Sequence, residues 1–232
     1  KTLDLDQSQS VASLAGAGTV DIASGKTLSL TDTGTIGVLA GAGTVDVANT
    51  KTLSLTDTGT IGLLAGTGTV SVASGETLTL SGTGTVPTAI GGAGNLAISG
   101  TVTQTGTVSN SGTRTIASGG TWKLGPAVMT YGVANAGTLE FNSAGTIGNG
   151  AVTGAGLISI NASGGTVVVD SSSSLGSTGG VTITDGTLQV TGANKLPSSG
   201  TVTVATSKTL DLDQSQSVAS LAGAGTVDIA SG

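Results

Sequence analysis

The chain has 232 residues, a net charge of −6, and neither cysteine nor histidine. This excludes thiol and imidazole metal sites and His-assisted nucleophiles, and with no basic cluster it leaves no footprint for nucleic acid. Only 9% of residues are charged, 41 are glycine, and the aromatics are Trp122, Tyr131 and Phe141, too few rings for an ordinary globular core.

In chain order the elements come as repeats. Residues 1–25, KTLDLDQSQSVASLAGAGTVDIASG, set a plan that residues 26–50 and 51–75 follow closely. Residues 76–100 are a drifted fourth copy in which one residue enters near Pro87, where a loop absorbs it more easily than a strand. Residues 101–207 are less regular but keep the grammar, in TVTQTGTVS, GTRTIAS, GTLEFN, GLISIN, GTVVVD, VTITDGTLQVT and GTVTVAT. Residues 208–232 then repeat 1–25 without a change, an offset of 207, so the sequence reads as a window on a longer tandem array. Gly, Thr, Ser and Asp interrupt every apolar stretch, so no membrane insertion of this segment is expected.

Alternation of apolar and polar residues marks strands. In the second copy it predicts three: one around Leu28 and Leu30, one around Ile36 and Leu39, and one around Val45 and Val47. Gly41, Gly43, Asn49 and Thr50 supply corners between them. The expected fold is all-β, a right-handed parallel β-helix (β-solenoid) of about 20–25 residues and three short strands per coil, continuous over 1–232. If one repeat is one coil, equivalent residues stack. The expected core ladders are Leu3/Leu28/Leu53/Leu78, Leu5/Leu30/Leu55/Leu80 and Val11/Ile36/Ile61/Val86. The same logic stacks Lys1, Lys26 and Lys51 beneath Glu76, and Asp21 beneath Asp46.

Residues 181–232 carry a "GTLQV" strand, a "GAN-x-LP" corner, a "GTVTV" strand, a "TLDL" strand and an "L-x-GAGTV" ending. This ordered string resembles the passenger-associated β-strand repeat of bacterial autotransporters, and simpler echoes of it cover 1–100. The resemblance implies an exported β-helix at a bacterial surface, with no shared catalytic residues. No outer-membrane barrel accompanies the repeats in these 232 residues.

Candidate sites are few. The acids are spread through the repeats, so no enzyme is expected; a polysaccharide-cleaving carboxylate pair would need a partner for an acid such as Asp170. Asp4 and Asp6, repeated as Asp211 and Asp213, could hold Ca²⁺, but a solvated acidic face is the reading favoured, with no cofactor. Thr33, Thr58 and Thr83, with Thr35, Thr60 and Thr85, form two files of a Thr-array face. Trp122, Tyr131 and Phe141, in the stretch 119–142 with Pro126 and Met129, are candidates for a lateral or partner contact. The expected function is a structural or adhesive repeat region of an extracellular bacterial surface fibre or filament. Its partners would be other copies of itself, end to end or by covalent continuation, and other surface polymers or cells. The alternative is a ligand-binding β-solenoid, for ice or polysaccharide, working through the Thr ranks or the aromatic coils.

Overall fold

The structure, a computed structural model, describes residues 1–124, 129 and 131–230. These residues are all-β without a helix, and parallel sheets stack as β-solenoid turns, about 12 in all. The turns fall into two compact units, 1–114 and 115–232.

The first unit has three walls, and the pairing register corrects the expected coil. Thr2 pairs with Thr19, an offset of 17. Gln9 pairs with Leu28 and Thr19 with Val38, both at an offset of 19. These pairings recur one repeat later, at Thr27↔Thr44, Gly34↔Leu53 and Thr44↔Leu63. A coil is therefore shorter than a repeat, because stacked partners are never as far apart as equivalent positions of successive copies.

The reason lies in the middle of each repeat. Read as one segment around Ile36 and Leu39, it is two strands, Gly34–Ile36 and Val38–Gly41, broken at Gly37. A Cβ on Gly37 would sit 2.5 Å from the Ala17 carbonyl oxygen, so the chain turns a corner there against the coil beneath. With Thr27–Leu30 and Thr44–Val47, each repeat holds four strands, laid over three walls. One repeat therefore winds one and a third turns.

Consequently the expected ladders do not form. Leu3 stacks on Val20 and then Leu39. Leu28 lies between Gln9 and Val45, Leu53 between Gly34 and Val70, and Leu78 between Gly59 and Leu96. Leu5 pairs with Ile22, Leu30 with Val11 and Val47, Leu55 with Ile36 and Val72, and Leu80 with Ile61 and Ile98. Val86 pairs with Gln104. The residues still face inward: Leu28, Leu30, Leu53, Leu55, Leu78, Leu80, Ile36, Ile61 and Val86 are all buried, while Leu3 is 44% exposed. A rung needs any two apolar side chains of fitting size, and strand alternation supplies those whichever repeat position arrives.

Corners follow sequence closely. Lys26, Lys51 and Glu76 each donate a backbone N–H to the carbonyl of the third residue back, at Ala23, Ala48 and Ala73. The residue before each has positive φ: Gly25 at 72°, Thr50 at 64° and Gly75 at 84°. The extra residue near Pro87 lengthens one pairing offset from 19 to 20, at Thr69↔Ala89. Thr88, fully buried, fills that corner, its hydroxyl within reach of the Ala65 and Gly66 carbonyls at 2.8 and 3.0 Å.

In the second unit the offset between stacked partners varies more, from 17 at Thr121↔Thr138 to 23 at Ile158↔Val181. The long strand Leu157–Val169 bends at Ser163 and Gly164, both with positive φ, and its register against Val181–Val190 shifts there. Asn135 points inward; its Nδ2 donates to the Leu157 carbonyl at 2.9 Å and its Oδ1 accepts the Gly137 N–H at 3.1 Å.

Candidate functional surface

Outward positions on the first unit's strands carry mostly Thr, Ser, Ala and Asp, set in place by alternation. The six predicted Thr residues do not form one face. Thr35, Thr60 and Thr85 lie on three different strands, Gly34–Ile36, Gly59–Ile61 and Thr83–Val86, whose partners are three different strands in turn. Each starts its own patch instead: Thr35 is followed by Ser54 and Ser71, Thr60 by Thr79, and Thr83 and Thr85 by Thr101 and Thr103.

Thr33 and Thr58 have a structural task that the sequence reading missed. Their hydroxyls accept the N–H of Thr52 and Thr77, the first residues of strands one coil on. Ser8 does this for Thr27, and the Asn95 side chain for Thr113. Each satisfies a strand-end donor at a corner. The signal is a hydroxyl or amide one coil length before the strand, legible once that length is known.

The acids also regroup. Asp21 does not lie beneath Asp46. It pairs with Asp4 and Ala40, and Asp46 with Ser29 and Ala65. Asp21 and Asp46 lie over Gly41 and Gly66, where a Cβ would collide with their Oδ1 atoms. Lys51 does not join the expected stack with Lys26 and Glu76; its ammonium lies 3.0 Å from Asp32, and Glu76 accepts from the Thr58 hydroxyl at 2.7 Å. The Thr33 N–H and then Lys51 hold the Asp32 carboxyl below the usual range. Lys208, 2.5 Å away, does the same for Asp185. Burial, then Asp213 and Asp228, push Asp211 up; its Cα partner is Asp228.

Asp170 accepts the Ser172 hydroxyl at 2.7 Å and N–H at 2.8 Å, and the hydroxyl chiefly lowers its pKa. Among the described residues no three acids gather in a group that could hold a metal ion.

The aromatic contact is corrected. Trp122 is fully buried, stacked on the half-buried Tyr131 at 6.1 Å between centroids and 20° between planes. Phe141 is buried beside Leu124, and Met129 is buried as well, so Trp122 and Phe141 are core rather than interface; Pro126 lies outside the described residues. The Trp122 Nε1 has no hydrogen-bond partner among the described residues.

The exposed large apolar side chains sit mainly on uncovered end strands: Leu3 at 44%, Leu221 at 50% and Ile229 at 71%. Beside Leu3 lies a cleft of about 180 Å³ lined by Leu14, Gly16, Val20 and Ile36. Compared with family models, curated proteins and solved structures, the chain finds no match.

Proposed function

We propose that this chain is a structural and adhesive repeat region of an extracellular bacterial surface fibre, a non-catalytic spacer whose length follows from repeat number. The observation that supports it is the pairing rule of the first unit. The same three pairings recur at each step of the repeat, so every coil presents the edge that the next one needs. The outward side chains fit such a spacer, being short, polar and without a convergent cluster. The resemblance of 181–232 to the autotransporter repeat supports the surface location.

The hydroxyl patch of Thr35, Thr52, Ser54, Thr69 and Ser71 on one wall favours a second reading, ice or polysaccharide binding. One comparison separates them: chains of one, two and three copies of the long repeat unit, measured by small-angle scattering. A spacer lengthens by an equal step of about 50 Å per unit, at ~4.8 Å per coil. Chains that stay the same length, or that show thermal hysteresis or glycan binding, would defeat the spacer reading.

A further inference from the structure

Residues 208–232 are identical to residues 1–25, and the two copies lack opposite neighbours. In the first copy the following repeat covers the segment. Leu28–Leu30 pairs with Gln9–Val11, Thr35 bridges Ala15, and Val38–Gly41 pairs with Thr19–Ile22. In the second copy Ser220–Gly223 and Thr226–Ile229 each pair on one side only, with Thr201–Val204 and Thr209–Leu212. Residues 216–218, the counterparts of the strand Gln9–Val11, form no strand there. At the other end, Thr2–Leu5 pairs on one side only, with Thr19–Ile22, beside the apolar cleft.

We propose that a second copy of this chain docks its first coil onto the last coil of the first, head to tail. This inference deepens the fibre reading and rests on it. The occupant follows from the repeats: residues 1–25 share the plan of 26–50, the segment that covers this same sequence inside the chain. Transferring the observed pairings gives the register. Leu3, Asp4 and Leu5 of the second copy lie against Gln216, Ser217 and Val218, and Leu14 and Gly16 of the second copy lie over Val227 and Ile229. Ser217 then faces Asp4 and Asp228 faces Ala15, so no carboxylate meets a carboxylate. The joint falls where Gly25 is bonded to Lys26 within a chain. Such an interface is heterologous and does not close on itself, so it builds an open filament.

The chain has no cysteine, which makes cross-linking clean. Asp4→Cys and Ser217→Cys, mixed as single variants and oxidised, are expected to form disulfide-linked dimers, since paired strands hold Cα atoms ~5 Å apart, within disulfide range. Asp4→Cys with Ala222→Cys is expected to cross-link far less. The parent chain is expected to grow with concentration in sedimentation, and the doubly substituted Leu221→Lys, Ile229→Lys chain, altered only at exposed side chains, to stay monomeric. A parent chain monomeric at every concentration, equal cross-linking at both pairs, or assembly by the lysine variant would each overturn the joint. If a two-unit chain lengthens while the parent does not assemble, the joint fails and the fibre reading stands. If the two-unit chain does not lengthen, the fibre reading itself fails.

Discussion

Residues 1–114 and 115–230 solve the same packing problem by different means. In the first unit the coil length is nearly constant, and interchangeable Leu, Ile and Val fill the rungs. In the second, coils of unequal length follow one another, with a tryptophan, a phenylalanine and an asparagine turned inward. The difference shows what a solenoid holds fixed. Two inward side chains per strand must land on two others; the corners take up whatever length is left. Where the corners grow, larger or polar side chains fill the widened interior.

Trp122 carries the largest part of this contrast. If the second unit depends on this one large side chain, Trp122→Ala is expected to cost about 3–5 kcal/mol, measured by urea unfolding. The near-ultraviolet dichroism of the Trp122–Tyr131 pair should vanish with it. A cost below about 1 kcal/mol would mean that the coils close over the gap and that the two units are alike after all.

A smaller effect of opposite sign tests the regular unit. Thr50 stands in a left-handed conformation where the equivalent residues are Gly25 and Gly75, and a Cβ at either glycine meets no atom within 4 Å. The strain is therefore in the backbone alone. Thr50→Gly is expected to stabilise the chain by roughly 1 kcal/mol in thermal or urea unfolding. A loss instead would show that the Thr50 side chain contributes more than its backbone costs.

The smallest effect is electrostatic. Because burial and then Asp213 and Asp228 raise the Asp211 pKa, the folded chain holds that proton more tightly than the unfolded one. Stability from this group is thus present below pH about 4 and lost as pH rises through the raised value. Asp211→Asn is expected to raise the melting temperature at pH 7, by less than about 2 °C, and to leave it unchanged at pH 3. Asp32 and Asp185, with lowered values, act in the opposite sense and lose their contribution only as pH falls below about 4.

The strands, the inward faces and the parallel stacking were legible in the sequence, because alternation and repetition are local signals. The coil length was not, because the segment around Ile36 and Leu39 alternates too briefly to show that Gly37 is a corner. That one hidden corner displaces every expected neighbour: Leu28 from Leu53, Thr35 from Thr60, and Lys51 from Glu76. The aromatic residues misled for another reason. Scarcity made Trp122 and Phe141 look like surface anchors, yet each occupies an inward strand position, as TWKL and TLEF already showed by the same alternation as TLSL.

Four strands wound on three walls also make the repeat tract a gear. Gaining or losing one repeat changes the reach of the chain and swings everything beyond it by a third of a revolution. Three repeats restore the original heading. Slippage among near-identical repeats therefore changes two things at once, how far a distal surface stands and which way it points.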